Sequence, residues 1–400
     1  MRLLTARYTP NTGWDNPLDA SLDAQNTLLI LFGSSYAGPL GNKAADRHQG
    51  WQWWCSSDTE ALQAGFADLR RAYPQAVWTG CSSAGDIYGE ALEENSLTVA
   101  VLAFDKTTLR VAHASVDQTH AAETGQRLAA QLAAPDLKGV FVLSDGLAVN
   151  GSELSRGLTE NLPPKVVITG GLAGDGAQFR ATWVMVEQQA ASRQVVAVGL
   201  YGEHVGITYG SRGGWEVFGP EREVTRAEGN VLYSLDGHNA LALYKKQLGE
   251  HADELPAAGL MFPLAIRNEL EEDGYTVRTI LAVDEAAQSI TFAGDLPEGA
   301  MVQMMRASTE GLVEGAADAA DHMNFASYQG GPLLTVAISC VGRRLVLGLH
   351  IDDEIHAVHD HLPPDSALIG FYSYGELSPL KSGRCDLHNQ TMTLTSFWET

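Results

Sequence analysis

One arrangement of strand, helix, strand and glycine-rich turn occurs three times along the chain, over 27–86, 139–175 and 334–376. In each copy an apolar strand precedes a helix with apolar side chains on one face, and a second apolar strand leads into the turn. A strand–helix–strand unit of this kind forms a right-handed parallel crossover, whose turns open at the carboxyl edge of the sheet. The repeat therefore predicts an α/β fold with three related crossovers.

Hydrophobic periodicity places the elements of each copy. Short apolar runs predict strands, and apolar side chains at helical spacing predict helices. The predicted strands of the repeat are 27–34 and 77–80, 139–143 and 166–169, and 334–340 and 367–369, and its predicted helices are 59–73, 152–162 and 352–362. Further β-rich segments predict antiparallel strands at 97–103, 109–114, 182–186, 195–200, 205–209 and 388–397.

A change of pattern after the second copy predicts a domain boundary. A glycine-rich stretch, 213–219, precedes a segment that favours a loop and helix over 227–248 and a hairpin of 277–283 with 289–292. The predicted fold class is α/β, with mixed sheets built from repeated strand–helix–strand units and added antiparallel strands. We expect two domains, at 20–215 and 216–400.

Each copy ends in a glycine-rich turn that closes with a carboxylate: GCSSAGD at 80–86, GGLAGD at 170–175 and GFYSYGE at 370–376. Glycine permits close backbone approach, and successive N–H groups can hold an anion. If the turns meet, their carboxylates can bind a cationic or hydroxyl group; alternatively, the glycines only make tight turns and the acids cap the next segment. The candidate ligand-binding residues are Gly80, Cys81, Ser82, Ser83, Gly85, Asp86, Gly171, Gly174, Asp175, Tyr374, Gly375 and Glu376.

The charge balance restricts the partners. Against 26 Lys and Arg the chain carries 49 Asp and Glu, a formal net charge of −23. Such a surface repels phosphates and anionic lipid, so neither nucleic acid nor a membrane is an expected partner. The sequence has no signal-peptide pattern and no apolar run of the roughly 18 residues that a membrane span needs, which predicts a cytoplasmic protein. Its four cysteines form no CxxC, so reduced thiols are expected.

Four blocks stand in a specific order: TGCSSAGDIYG at 79–89, GGLAGD at 170–175, GWEVFGP and VTRAEGNVLYSLDGHNAL within 214–241, and GFYSYGELSP with LHNQTMTLT within 370–395. In this order they resemble the FIST family of sensory proteins, with N-terminal and C-terminal FIST regions covering nearly all of the chain. His388 and Asn389, in the last block, join the candidate binding residues.

The resemblance implies a bacterial sensory module that binds a small ligand. Because no output domain follows the last block, we expect it to signal in trans to a partner such as a histidine kinase or a cyclic-di-GMP enzyme. The chain resembles a stand-alone subgroup that senses nitric oxide through haem, which implies haem b as a cofactor. An amino acid or another small metabolite is the alternative ligand, and formation of a homo-oligomer is left open.

If haem binds, its iron needs an axial ligand from His, Cys, Tyr or Met. The segment 35–57 departs from the family pattern and contains His48, three tryptophans and a cysteine. These side chains can line the pocket of an apolar cofactor; alternatively, the segment forms a lid or a dimer contact. These residues of the segment are Trp51, Trp53, Trp54 and Cys55. The candidate axial ligands are His48, His204, His350 and His388. For His388 the alternative is a structural hydrogen bond.

Catalysis is the less favoured class. GCSSAG lacks the G-x-S-x-G spacing of a nucleophile elbow, and the sequence contains no P-loop, HExxH or strand-bound GxGxxG. A hydrolase-like enzyme that uses Cys81, Ser82 or Ser83 is the alternative from another class. Without an identified histidine partner, a buried structural thiol is favoured for Cys81. We therefore expect no enzymatic activity.

Overall fold

The computed structural model describes residues 1–34, 57–176, 178–255, 257–268 and 274–400. The candidate ligand His48, the three tryptophans near it and Cys55 lie outside these ranges. The helices of the described residues are α1 (Ser57–Ala72), α2 (Ala121–Leu132), α3 (Gly151–Thr159), α4 (Ala240–Leu248), α5 (Thr309–Asp321), α6 (Val341–Leu347) and α7 (Ile351–Asp360). No helix in these ranges is long and apolar enough to cross a bilayer.

Strands fill much of the remaining chain. Those before residue 213 are β1 (Arg2–Thr9), β2 (Gly13–Trp14), β3 (Thr27–Ser34), β4 (Val77–Ser83), β5 (Asp86–Tyr88), β6 (Ala91–Glu93), β7 (Leu97–Ala103), β8 (Thr108–Ser115), β9 (Leu137–Ser144), β10 (Val167–Leu172), β11 (Val184–Val186), β12 (Gln189–Ala191), β13 (Gln194–Tyr201) and β14 (Val205–Arg212). Those that follow are β15 (Glu216–Glu228), β16 (Val231–Leu235), β17 (His238–Asn239), β18 (Leu264–Arg267), β19 (Tyr275–Arg278), β20 (Ile280–Asp284), β21 (Ser289–Phe292), β22 (Met301–Arg306), β23 (Leu334–Cys340), β24 (Ala367–Ser373), β25 (Gly375–Pro379), β26 (Cys385–His388) and β27 (Met392–Glu399).

The three predicted crossovers are present, each in a mixed sheet of its own. The parallel pairs are β3 with β4, β9 with β10, and β23 with β24. On its other side each first strand pairs with an antiparallel strand, which is β7, β13 or β27. The sheets run β12-β11-β4-β3-β7-β1-β2, β26-β25-β10-β9-β13-β8 and β14-β27-β23-β24-β5-β6. This arrangement confirms the α/β class with mixed sheets.

Each sheet receives a two-stranded hairpin from the chain that follows the turn of another copy: β11 with β12, β25 with β26, or β5 with β6. The strand after the first turn, β5, pairs with β24 in the third sheet. The strand after the second turn, β11, pairs with β4 in the first sheet, and the strand after the third turn, β25, pairs with β10 in the second. The three copies therefore interlock by exchanging strands in one cyclic direction.

The inner faces of the three sheets pack against one another. One core cluster contains Phe32 of the first sheet, Phe141 of the second and Phe371 of the third. The rings of Phe32 and Phe371 stack with their centroids 4.7 Å apart. Residues of the opposite strand faces, such as Leu29 and Val140, belong to separate clusters with the helices. Because side chains alternate across a strand, continuous apolar runs produce sheets that are buried on both faces.

A fourth sheet lies in the segment between the second and third copies. Its strands run β19-β18-β22-β15-β16-β21-β20, with β17 beside β16, and α4 packs against it. The predicted hairpin is confirmed by the pairing of β20 with β21, although its first predicted strand, 277–283, is divided between β19 and β20. The predicted loop before α4 is wrong in part, because β16 and β17 occupy it. A cluster that includes Val224, Leu241 and Phe292 forms the core of this sheet.

The last predicted strand, 388–397, is wrong as a single element. The chain forms β26 up to His388 and β27 from Met392, with a turn between them. Gln390 in this turn has a φ of +61°, which an extended strand does not allow. The predicted strands at 77–80, 166–169 and 367–369 continue further, as β4, β10 and β24.

Candidate functional site

The three glycine-rich turns meet, as the repeat predicts. The N–H of Gly174 in the second turn donates to the carbonyl of Ser82 in the first (3.0 Å). The N–H of Ala84 in the first turn donates to the carbonyl of Tyr372 in the third (2.8 Å). The N–H of Tyr374 in the third turn donates to the carbonyl of Leu172 in the second (3.0 Å). The turns are thus joined in a closed ring of backbone hydrogen bonds, which we call the turn ring.

The turn ring is tightly packed at its glycines. A Cβ on Gly174 would lie 3.0 Å from the Cβ of Ala84 and 3.1 Å from the carbonyl oxygen of Tyr372. Gly85 has a φ of +128°, and a Cβ there would lie 2.7 Å from the Arg344 guanidinium. Glycine is favoured at Gly85 by its positive φ, and at Gly174 by the close approach of the first and third turns.

Two of the three carboxylates are fully buried beneath the turns. Asp86 accepts hydrogen bonds from the hydroxyls of Ser83 and of Ser96, the latter at 2.7 Å. Glu376 accepts from the hydroxyl of Ser373 at 2.5 Å and from that of Thr391 at 2.9 Å. Burial raises the pKa of Asp86 to about 7 and that of Glu376 to about 7, although the hydroxyl hydrogen bonds oppose the shift. Both acids can therefore exchange a proton near neutral pH.

The third carboxylate holds a segment of backbone. Asp175 accepts hydrogen bonds from the N–H groups of Phe179 (2.8 Å), Arg180 (2.7 Å) and Ala181 (2.7 Å). The hydroxyl of Tyr374 in the third turn also donates to Asp175. This carboxylate therefore fixes the path of the chain that leaves the second turn, as the alternative capping role anticipates.

Most of the predicted binding residues are placed inside the protein. Gly80, Cys81, Ser82 and Ser83 of the first glycine-rich sequence form the end of β4 and are buried, because that strand runs further than its apolar residues predict. Gly171 lies within β10, and Gly375 begins β25, so both contribute backbone to sheets. The residues near solvent lie on the chain after Asp175.

His388 and Asn389 lie at the end of β26, beside Glu376. The Nε2 of His388 lies 3.0 Å from the carbonyl oxygen of Ser378, and the ring is buried. The Oδ1 of Asn389 and the Oε1 of Gln390 are buried and accept no hydrogen bond from the described residues. A buried acceptor without a donor costs about 1–3 kcal/mol, so this turn has capacity for an additional donor.

The haem candidates in the described ranges have polar contacts. His204 is exposed, with its Nδ1 3.0 Å from the carbonyl oxygen of Thr400. His350 is exposed and lies 3.0 Å from Asp353. His388 is enclosed by the protein, as described above. A porphyrin also needs a large apolar cavity beside its axial ligand, and haem binding through any of these three histidines stays a prediction. No group of three or more His, Cys, Asp or Glu among the described residues is arranged to hold a metal ion.

The candidate nucleophiles are also buried. Burial raises the pKa of the Cys81 thiol well above its ordinary value. The hydroxyl of Ser82 accepts a hydrogen bond from the N–H of Trp183 (3.1 Å), and that of Ser83 donates to Asp86. A nucleophile needs a deprotonated or activated form that reaches the substrate. These three groups are buried, and none has a histidine partner among the described residues.

Sequence reasoning missed two features beside the turn ring. Helix α6 carries Arg343, which forms a buried ion pair with Glu354 (2.7 Å), and Arg344, which donates to the carbonyl of Ala84. Phe179 stacks on Tyr374 with ring centroids 4.5 Å apart. The length of 176–183, compared with the corresponding segments of the other copies, is the sequence signal that could have found Phe179.

Comparison with known proteins gives two family matches. A profile described as the FIST N domain matches residues 52–238, and one described as the FIST C domain matches residues 240–379. No curated protein matches the chain significantly. Among solved structures, a cyanuric acid hydrolase from A. caulinodans is similar over 99% of this chain and 98% of its own, with 10% identity and a TM-score of 0.35. That similarity is too low to inform function.

Proposed function

Because the chain is a FIST-domain protein, and FIST domains are generally small-ligand sensor domains, we propose that it is a cytoplasmic sensor that signals to a partner protein. A histidine kinase or a cyclic-di-GMP enzyme is the partner class we propose. The ligand in this proposal is an amino acid or another small molecule, bound at the turn ring. The protein itself carries out no catalytic step.

The observation that carries the proposal is the convergence of the three turns. Ligands of α/β proteins bind beyond the carboxyl ends of parallel strands, and here three such ends meet in one place. The two protonatable carboxylates and the unsatisfied amide oxygens of the site are buried, and its part near solvent is the backbone segment held by Asp175. A ligand that contacts more than one turn is coupled to all three sheets, because every turn continues into a strand of another sheet.

Thermal-shift measurements with the common amino acids test the ligand proposal. A ligand present at 100 times its Kd is expected to raise the free energy of unfolding by about 2.7 kcal/mol, since it binds only the native state. The variant Asp175→Asn is expected to abolish this increase, because an amide offers one acceptor oxygen where three N–H groups need two. The matched control is Asp117→Asn, which removes a similar carboxylate that accepts from the N–H groups of Thr119 and His120, just before α2. An equal shift in wild type and Asp175→Asn would place the ligand elsewhere.

Haem-mediated sensing of nitric oxide is the sharpest form of the proposal, and it comes from the family resemblance. Of the four candidate axial ligands, His48 is the one that stands among tryptophans in the sequence, so we propose that it binds the iron. In a haem-loaded preparation, the Soret band is expected to persist in His204→Ala and His350→Ala and to be lost in His48→Ala. The measurement is an absorption spectrum before and after addition of nitric oxide. If the protein cannot be loaded with haem, the proposal of nitric oxide sensing is wrong and the proposal of an amino-acid ligand remains.

A further inference from the structure

The second copy of the repeat departs from the other two directly after its carboxylate. Asp86 is the first residue of β5, and Glu376 is the second residue of β25. After Asp175, by contrast, the segment 176–183 precedes β11. The exchange of strands does not require this segment, because the other two copies make the same connection without it. Residues that the shared architecture does not need are candidates for a specific role, as loops on a rigid scaffold generally are.

The segment contains an aromatic residue whose backbone conformation is unusual. Phe179 has a φ of +51°, which bulky residues rarely adopt. Its N–H is fixed by Asp175, and its ring stacks on Tyr374 with an interplanar angle of 13°. The hydroxyl of Tyr374 is in turn bound to Asp175 and to the carbonyl of Gly176 (3.0 Å). Backbone strain of this kind persists where the surrounding contacts impose it, and it concentrates at ligand sites.

The ring is presented to solvent instead of being buried. Phe179 is 48% exposed, whereas Tyr374 beneath it is 9% exposed. The next residue, Arg180, is exposed and forms no ion pair within the described part of the chain. Arg180 is therefore an exposed cation next in sequence to an exposed aromatic ring, in a chain whose net charge is −23.

We propose that Phe179 and Arg180 form the ligand-reading surface of this sensor, and that the ligand is a planar aromatic molecule with a carboxylate or another anionic group. The ligand ring adds to the stack of Tyr374 and Phe179, which favours flat rings with offset faces. The anionic group pairs with the Arg180 guanidinium, whose planar fork matches a carboxylate. This inference rests on the proposed sensory function and narrows its ligand class.

Calorimetric titration of the full chain tests the ligand class directly. The probes are benzoate, anthranilate and indole-3-carboxylate, each compared with its neutral amide and with cyclohexanecarboxylate. At least one aromatic carboxylate is expected to bind more tightly than its amide and than the non-planar acid. If none of the three binds to the wild-type protein, the inference is wrong.

Variants of Phe179 and Arg180 test the proposed contacts of these two side chains with the ligand. Phe179→Ala is expected to weaken binding of the aromatic carboxylate about tenfold or more, and Phe179→Tyr to retain it, because the ring is kept. Arg180→Gln is expected to weaken the carboxylate about tenfold and to leave the amide unchanged. Lys246→Gln removes an exposed cation of α4 and serves as the matched control. An unchanged melting temperature of the free variants excludes loss of folding.

The outcomes separate this inference from the function on which it rests. If an amino acid stabilises the wild type and Phe179→Ala equally, the sensor proposal stands and the aromatic surface is wrong. If the aromatic carboxylate binds Phe179→Ala and Arg180→Gln as tightly as wild type, the surface is also wrong. If neither the amino acids, haem nor the aromatic acids bind, the sensor proposal itself falls.

Discussion

Replacing Glu354 with alanine is expected to lower the free energy of unfolding by about 3–5 kcal/mol. The side chains of Glu354 and Arg343 are both fully buried, with Arg343 Nη2 2.7 Å from Glu354 Oε2. Glu354 Oε1 also accepts hydrogen bonds from the hydroxyls of Tyr372 (2.7 Å) and Ser339 (3.1 Å). Without Glu354 the guanidinium keeps its charge in an apolar interior with no carboxylate. Urea unfolding at constant pH measures the change.

Two variants show whether the loss comes from the unpaired charge. Glu228→Ala breaks an exposed pair with Arg226 and is expected to cost at most about 1 kcal/mol. The double variant Arg343→Met with Glu354→Leu leaves no buried charge and is expected to recover the part of the loss that the unpaired guanidinium causes, although the Tyr372 and Ser339 hydroxyls still lose their acceptor. A loss below about 1 kcal/mol in Glu354→Ala would contradict the buried position of this pair.

Raising the pH from about 5 to about 8 is expected to lower the free energy of unfolding by roughly 2–3 kcal/mol for each of Asp86 and Glu376. Burial raises the pKa of these acids from 3.8 and 4.5 to about 7. A folded-state pKa above the unfolded one means that the neutral acid favours the fold. The stabilisation is therefore complete below about pH 4 and is lost as the pH rises through about 7.

The charged groups that face these acids do not reverse this direction. Glu93 adds to the increase at Asp86, Arg344 opposes it, and His388 opposes the increase at Glu376. Asp86→Asn is expected to remove the share of the pH dependence that belongs to Asp86. Asp117, whose hydrogen bonds lower its pKa to about 2, has finished titrating below this range, so Asp117→Asn is the matched control. Urea unfolding at a series of pH values measures both, and a flat wild-type profile would contradict the prediction.

The crossovers were predictable because their apolar runs are strong. The predicted strand 334–340 coincides with β23, and 97–103 coincides with β7. The exchange of strands was not predictable, since local sequence sets whether a segment is extended but not which sheet it joins. The pairing of β5 with β24 depends on tertiary packing between copies that are far apart in the chain.

Two parts of the candidate site also escaped local reasoning. Arg343 is a charged residue, so its sequence predicts an exposed position, yet its side chain is fully buried. Its burial depends on the ion pair with Glu354 on the next α-helix, and local sequence does not reveal that pairing. Phe179 adopts a left-handed backbone that no propensity assigns to an aromatic residue. By contrast, the contact between the turns was predictable, because in each copy of the repeat the second strand of the crossover ends in the same kind of glycine-rich turn.

The cyclic exchange of strands sets an order for folding during synthesis. The second sheet is assembled around β9 and β10, yet its neighbour β25 is made only when Gly375–Pro379 has left the ribosome. The third sheet includes β5, which is synthesised early and can pair only after β24 has been synthesised. Non-local pairing of this kind is slow to form and exposes strand edges until it is complete. A nascent chain released before residue 375 would therefore carry an open edge on β10, and chaperones that recognise unpaired strands would be its first partners.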